Sequence, residues 1–436
     1  MREEGDCMKM RMSDKSGIAS GKSRLAAKAL AAIALAAGMV PAAWAKPEFV
    51  LPETLYAAPG VECNIYFGEV FDAVKPENFA FEVRGEKGAC LTECWRWTPT
   101  ANDAGKSVRL VLNAWNDDGL AAAATTTVRV ARNSASKKRL AMAILSASSV
   151  NCCYPDQIMK RMHACGYTGY TSVGSHSSGT MCTNGCEIVP GRAPHDGYGG
   201  FAFSSFLHRW RMTPDEFTEL QSDAERDQLK SFGYKLPPGN AWRRHLLKSP
   251  LLRLKNCKPT LDIQHWFDRI NGGAAPEVIL IVLGGNGVFS KRPHDIDDYL
   301  RNQEMASARI LVKELRKAAP KTLIALATRF VGSADQSAYG KGYGCSQSQV
   351  QARKNFFAYN RALEDFVAKF GDPLVTLVPL AQALDPVNGY PHASVPVFSG
   401  SKIKVDRARN ALHPTLEGGV QLGDAIAAWL MCTVME

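Results

Sequence analysis

The stretch Val278-Ile-Leu-Ile-Val-Leu283, followed by Gly284-Gly-Asn-Gly287, decides the fold class. A continuous apolar run of this length, ended by glycines, is typical of a strand that is buried on both faces of a parallel sheet. Leu140–Leu145 and Thr322–Ala327 have the same apolar character, and Leu374–Leu380 predicts a further strand. The chain therefore contains a set of strands that need cover on both faces.

Stretches with helical periodicity lie between and after these strands. They span residues 155–164, 295–318, 346–370 and 414–431. Alternation of buried strands with helices is the pattern of a parallel sheet with helices on both faces. We expect an α/β domain with three layers, helix, sheet and helix, over residues 139–436.

Residues 46–132 have a different pattern, with short runs of alternating polar and apolar residues. The turn Asn116-Asp-Asp-Gly119 predicts a hairpin, and the polar stretch Asn133–Lys138 predicts a linker. The strand spacing is typical of a small all-β sandwich of immunoglobulin type. The predicted strands are residues 62–67, 79–83, 107–112 and 125–130.

The N-terminal residues 1–45 have the features of a signal peptide. A basic stretch precedes the apolar run Ala29–Val40, and Ala43-Trp44-Ala45 matches an A-x-A cleavage site. The alternative, a transmembrane anchor, is disfavoured because the run is short and rich in alanine. We expect a secreted or periplasmic protein with no integral membrane segment after cleavage.

Composition excludes several classes of protein. The 436 residues are 46% hydrophobic and 22% charged, which is ordinary for a globular chain. Without residues 1–45 the net charge is +7, and the basic residues form no stripe interleaved with aromatic residues. We therefore expect no nucleic-acid partner.

Eleven cysteines remain after residues 1–45 are removed. In an exported protein most cysteines pair, and Cys90 with Cys94 and Cys182 with Cys186 have spacings that close small loops. Cysteines at this spacing also bind zinc in other proteins. No matching second pair or histidine accompanies them, so the sequence favours disulfides and predicts no metal and no cofactor.

Residues suited to acyl transfer follow the predicted strands, where parallel sheets place their functional loops. Ser146-Ala-Ser-Ser149 follows the first strand, and Gly284–Gly287 follows the third. A glycine turn, Tyr198–Ala202, lies between them, and Asn410-Ala-Leu-His413 precedes the last helix. A hydroxyl, an imidazole, glycine amides and an asparagine amide are the groups that ester hydrolysis needs.

These residues resemble the four sequence blocks of the SGNH (GDSL-like) hydrolase family. The resemblance covers about 139–433, and residues 47–131 are similar to the β-sandwich module that precedes such domains. It implies Ser148 as nucleophile and His413 as base, with Asn410 in the position of the triad Asp. It also implies an oxyanion hole made by the Ser148 amide, Gly200 and Asn286.

The sequence departs from the family at several positions. Ser146-Ala147-Ser148 stands where the family has Gly-Asp-Ser, and Ser149 is an alternative counterpart of the nucleophile. Asn410 cannot supply the charge of an Asp, and Asp406 is the nearest upstream carboxylate that could replace it. His176 and His195 lie near candidate loops and receive no role.

The sequence leaves three functions open. The first is an exported serine esterase that removes acyl groups, above all acetyl, from carbohydrate; its acylated carbohydrate substrate would be its partner. The second is a catalytically degenerate SGNH-fold protein that binds glycans or lies at a surface. The third is a lipase or thioesterase, which requires an apolar acyl groove.

Overall fold

The computed structural model describes residues 46–132, 135–177, 191–208, 249–255, 258–292, 294–340 and 348–435. The predicted signal peptide, residues 1–45, lies outside them, as do Cys182 and Cys186. By its internal contacts, Pro47–Glu436 forms one unit.

The N-terminal part of this unit, here called the β module, consists of short strands. They are β1 (Glu48–Phe49), β2 (Thr54–Ala57), β3 (Cys63–Tyr66), β4 (Phe71–Asp72), β5 (Ala80–Arg84), β6 (Ala89–Cys90), β7 (Cys94–Trp97), β8 (Ser107–Asn116) and β9 (Gly119–Val130), with helix α1 (Phe67–Val70) after β3.

The β module contains a four-stranded sheet in the order β2-β9-β8-β5 and a three-stranded sheet in the order β3-β7-β6. Strands β8 and β9 form the predicted hairpin, with Asn116 paired to Gly119. One apolar core includes Leu55 and Leu110 of the first sheet and Ile65 and Trp95 of the second. The strands expected from the sequence correspond to β3, β5, β8 and β9, while the immunoglobulin-like topology stays a prediction.

The remaining chain alternates strands and helices. The strands are β10 (Leu140–Ser146), β11 (Tyr170–Val173), β12 (Asp196–Gly197), β13 (Leu252–Lys255), β14 (Lys258–Leu261), β15 (Val278–Val282), β16 (Leu323–Ala327), β17 (Val375–Val378), β18 (His392–Pro396) and β19 (Lys404–Ala408). The helices are α2 (Tyr154–Ala164), α3 (Phe203–His208), α4 (Ile263–Asn271), α5 (Gly285–Val288), α6 (Ile296–Tyr299), α7 (Met305–Ala318), α8 (Ser337–Gly340), α9 (Gln349–Ala368) and α10 (Leu416–Thr433).

The central sheet has the order β11-β10-β15-β16-β17, with β12 paired to the end of β10. All of these pairs are parallel, which confirms the predicted parallel sheet. Alternate residues of β10 enter two separate cores: Leu145 packs in the same core as Trp266 of α4, and Ile144 in the same core as Trp429 of α10. Helices therefore cover both faces of the sheet.

The strand register brings three loops to one edge of the sheet. Ser146, the last residue of β10, is paired with Val282 on one side and with Gly197 on the other. The loops after these three residues consequently begin side by side. The sequence stretches singled out for acyl transfer lie on these loops.

The β module packs closely against the central α/β region. Glu69 of α1 is fully buried, and its carboxylate accepts a hydrogen bond from the Val331 amide at 2.7 Å. Arg353 of α9 is also buried and donates to the carbonyl oxygens of Gly68, at 2.6 Å, and Phe71, at 3.0 Å. Buried ionisable side chains thus join the two parts of the chain.

The described thiols do not show the expected disulfides. Cys63, Cys90, Cys94, Cys152 and Cys165 are free. The predicted Cys90–Cys94 bridge is wrong, because Cys90 lies on the strand next to β7 and its thiol points to the carbonyl oxygen of Phe81. A pairing of Cys182 with Cys186 stays a prediction.

The part of the chain that the structure describes shows neither a metal-binding cluster nor a membrane span. Within it, no three His, Cys, Asp or Glu side chains come together in a way that could hold a metal ion. Within the same ranges, no helix has the length and apolar character needed to cross a membrane.

Candidate active site

Ser148 begins a tight turn at the end of the central strand β10. A 3₁₀ helix, Ser148–Cys152, follows the strand directly, and Cys153 closes it with φ 60°. A left-handed conformation at a non-glycine residue is strained, which is a recurring property of functional turns. The Ser148 side chain is partly exposed, whereas that of Ser149 is buried.

His413 lies directly against this serine. Its Nε2 is 2.7 Å from Ser148 Oγ, a distance typical of a strong hydrogen bond. The two residues are far apart in sequence and meet because the loop before α10 ends at the same edge of the sheet as β10. Ser148, rather than Ser149, is therefore the serine that the structure brings into contact with His413.

Asn410 contacts the other nitrogen of the same ring. Its Oδ1 accepts hydrogen bonds from the backbone amides of Leu412, at 3.0 Å, and His413, at 2.8 Å. Since these two bonds fix the orientation of the carboxamide, Nδ2 faces His413 Nδ1, at 3.2 Å. An amide nitrogen can only donate, so Nδ1 accepts and the proton of the neutral ring lies on Nε2.

The environment of His413 favours the neutral ring. Burial lowers its pKa, and the positive charge of Arg329 lowers it further. Asn410 brings no negative charge to oppose these effects. The imidazole is consequently neutral around pH 7, with its Nε2–H directed at the hydroxyl of Ser148.

The expected oxyanion residues lie on the two neighbouring loops. Asn286 is exposed on α5, and its Nδ2 donates to the carbonyl oxygen of Phe201 at 3.0 Å. Phe201 follows Gly200, which has φ +75°. Gly284 starts the Asn286 turn with φ +97°, and a Cβ there would lie 2.1 Å from the Tyr359 ring, so the position requires glycine.

The other candidates from the sequence are placed elsewhere. Asp406 is an exposed residue of β19 that pairs with Ser394, in a hairpin that the sequence did not predict. The contact of His413 Nδ1 is with Asn410, so Asp406 is not the group that orients the ring. His176 and His195 face each other through a pair of backbone hydrogen bonds, with their rings 4.5 Å apart.

A buried polar network lies beneath Ser148, and the sequence did not reveal it. Tyr154 donates to Ser146 Oγ at 2.9 Å, and Ser146 Oγ lies 3.4 Å from Ser149 Oγ. Arg329 donates to Ser149 Oγ at 3.2 Å. Arg329 comes two residues after β16, so the rule that found the other residues, inspection of the loop after each strand, would have found it as well.

A buried carboxylate also supports the oxyanion loops. Glu304 accepts a hydrogen bond from Tyr299 at 2.8 Å and another from the Phe203 amide. Burial raises its pKa to about 7. A Cβ at Gly287 would lie 2.4 Å from Glu304 Oε2. Glu304 thus contacts both the Asn286 loop and the segment after Gly200.

Comparison with known proteins gives only distant similarities. No protein-family model and no curated protein matches the chain. Among solved structures, the chain is similar to a carbohydrate esterase family 3 protein from Talaromyces cellulolyticus, with 13% identity and a TM-score of 0.37 over 67% of this chain and 97% of that one. A family 3 carbohydrate esterase from Clostridium thermocellum has 12% identity and a TM-score of 0.36 over 68% and 96%.

An acetyl esterase mutant with an acetate ion has 13% identity and a TM-score of 0.36, over 67% of this chain and 96% of that one. At these TM-scores the similarities carry no argument about function. Any assignment of function therefore depends on the geometry of the candidate site.

Proposed function

We propose that the protein is an ester hydrolase in which Ser148 is the nucleophile and His413 the general base. The observation that carries the proposal is the 2.7 Å contact between Ser148 Oγ and His413 Nε2, at the carboxyl edge of a parallel sheet. A serine bonded to an imidazole, which is itself held by a third side chain, is the arrangement expected of an activated nucleophile.

The proposed reaction has two stages. Ser148 Oγ attacks the ester carbonyl while its proton passes to His413 Nε2, and the tetrahedral oxyanion is stabilised by Asn286 Nδ2 and the amides of Gly200 and Ser148. The alcohol leaves with the proton from His413, which forms an acyl-serine. Water, deprotonated by His413, then releases the carboxylate and regenerates Ser148.

Asn410 makes the first proton transfer costly. His413 can act as a base only when Nε2 is free of a proton, so the ring must first carry its proton on Nδ1. That tautomer loses the hydrogen bond from Asn410 Nδ2, at a cost of about 1–3 kcal/mol. We therefore propose a slow esterase, whose rate is limited by the residue behind the imidazole.

The substrate proposed is a small acyl ester, above all an acetyl ester on carbohydrate. The enzyme proposed is exported and acts outside the cytoplasm. This part of the proposal rests on the resemblance of the sequence blocks and on the signal-like segment 1–45. No metal or organic cofactor is needed for the two stages of the reaction.

The second candidate is a glycan-binding protein on the same fold that has lost catalysis. The observation that favours it is the contact of Asn410 with His413, because it stabilises the tautomer that cannot accept a proton from Ser148.

A fluorophosphonate probe separates these two candidates, since it labels only an activated serine. We expect covalent labelling of Ser148, located by peptide mass mapping, in the wild type and in the surface control Ser394→Ala, and none in Ser148→Ala. Labelling that is absent from the wild type, or equal in Ser148→Ala, favours the binding protein.

A further inference from the structure

Arg329 is a fully enclosed cation at the floor of the candidate site. Only 4% of the residue is exposed. Its guanidinium lies 4.0 Å above the Phe330 ring, donates to Ser149 Oγ, and has one terminal nitrogen 3.1 Å from where a Cβ of Gly285 would be. Arg329 thus contacts the neighbours of Ser148 and of Asn286 at the same time.

No carboxylate pairs with this guanidinium among the described residues. The side chain of Asn360 binds the backbone of Arg329 and not its guanidinium. The Nε of Arg329 has no hydrogen-bond partner within the described ranges. Among the described residues, the ionisable groups that interact most strongly with it are neutral at pH 7: Tyr154, Tyr359, Tyr390 and Cys152.

Glu69 of the β module is a carboxylate that interacts electrostatically with Arg329. It does not compensate the cation, for two reasons. Its own pKa is raised to about 8 by burial, so it is mostly protonated at pH 7, and its carboxyl group is bonded to the Val331 amide and not to a guanidinium. Arg353 is a second buried cation within range of the same carboxylate. The cluster therefore keeps a positive charge.

An uncompensated buried charge is expensive, and a guanidinium does not lose its proton to avoid the cost. Such a charge is stabilised when a ligand brings an anion close to it. The accessible surface next to Arg329 is the Ser148–His413 site. There Asn410 supplies no negative charge, and His413 is neutral. Among the described residues, the site therefore has the positive charge of Arg329 beside it and no carboxylate paired with that charge.

We propose that the Ser148–His413 site binds a carboxylate group, and that the buried guanidinium of Arg329 supplies the charge that selects it. The inference rests on the location of the proposed active site but not on turnover. A carboxylate is also what ester hydrolysis would release at this place, so the same charge would hold the product. Arg329 acts across Ser149 and Gly285, so it is a positioning charge and not a residue that touches the ligand.

The test compares acetate with acetamide, which has almost the same shape and no charge. Each is titrated into the full chain, and binding is followed by calorimetry and by the ring signals of His413 in NMR. We expect the wild type to bind acetate at least about tenfold more tightly than acetamide, the effect of a unit charge several ångströms away in a partly buried site. Arg329→Met should lose that preference, and Arg329→Lys should lose most of it too, because a buried ammonium gives up its proton where a guanidinium does not.

Equal affinity of the wild type for acetate and acetamide, or the absence of acetate binding, would overturn the inference. So would an unchanged preference in folded Arg329→Met. Should Arg329→Met fail to fold, the inference is still tested by the preference of the wild type for acetate and by the Arg329→Lys variant. An acetate preference without ester turnover would contradict the esterase alone, and turnover without the preference would contradict this inference alone.

Discussion

The carboxamide of Asn410 donates to Nδ1 of His413 across 3.2 Å, while the opposite ring nitrogen lies 2.7 Å from Ser148 Oγ. An Asp in that position would accept a hydrogen bond from Nδ1–H and leave Nε2 free to take a proton from the serine. The structure thus holds a serine and an imidazole in contact, and for the proposed hydrolase the side chain behind the imidazole donates a hydrogen bond where it would have to accept one.

Asn410→Asp should raise ester turnover. The carboxylate would accept a hydrogen bond from Nδ1, fix the tautomer with a free Nε2, and stabilise the imidazolium. We expect kcat to rise by about 10-fold or more, within a ceiling of about 10⁴-fold for this kind of change. Steady-state kinetics with a chromogenic acetate ester would measure it. A fall in kcat, in a variant that still folds, would show that Asn410 does not orient the catalytic imidazole.

Asn286→Ala should lower kcat by about 10²- to 10³-fold with little change in KM, because an oxyanion donor acts mainly in the transition state. Asn302→Ala, at a surface asparagine whose side chain donates to Asp298, serves as the matched control and should keep full activity. Equal rates for the two variants would show that Asn286 is not part of the oxyanion hole.

Glu69→Gln should change how stability depends on pH. The folded-state pKa of Glu69 is raised from 4.5 to about 8 by burial. Because the pKa is raised, the contribution of Glu69 to the free energy of unfolding is complete below about pH 4.5 and is lost as the pH rises through 8. The variant, which can still accept from the Val331 amide, should match the wild type near pH 5 and exceed it near pH 9, by a few kcal/mol (order of magnitude).

Urea denaturation at both pH values measures this difference. Glu417→Gln, at an exposed position of α10, is the control and should follow the wild type throughout. A wild type that remains as stable as Glu69→Gln near pH 9 would contradict the buried, protonated state of this carboxylate.

A chain that begins at Lys137 should be much less stable than the full chain. The sequence pattern, with a polar linker after residue 132, predicts a separable β module. The structure instead shows Glu69 and Arg353 buried between the module and the central region, and removal of the module would leave the Arg353 guanidinium without its carbonyl acceptors. Thermal unfolding compares the two chains. An equal Tm for both chains would support the sequence-based prediction of a separable β module.

The central sheet and the positions of Ser148 and His413 could be predicted from the sequence for a physical reason. Strands such as Val278–Val282 are apolar throughout because both faces are covered, and functional loops follow the carboxyl ends of such strands. The pairing of His413 with Ser148 followed from this rule and from the resemblance of the sequence blocks.

Other features had no local signal. The hairpin of β18 and β19 is mostly exposed and lacks an apolar face, so nothing in the sequence marks its strands. The burial of Glu69 and Arg329 is not marked in the sequence, since it depends on contacts between distant parts of the chain, although the place of Arg329 just after a predicted strand is. The expected Cys90–Cys94 disulfide was inferred from spacing and export alone, and spacing does not fix the geometry of a pair.

The most direct test is the kcat/KM of the wild type, Ser148→Ala and the surface control Ser394→Ala with a chromogenic acetate ester. We expect measurable turnover by the wild type and by Ser394→Ala, and a loss of about 10³-fold or more in folded Ser148→Ala, because nucleophile and base act as a unit. Turnover by the wild type that is no greater than that of Ser148→Ala would contradict the proposal that Ser148 is the nucleophile of an ester hydrolase.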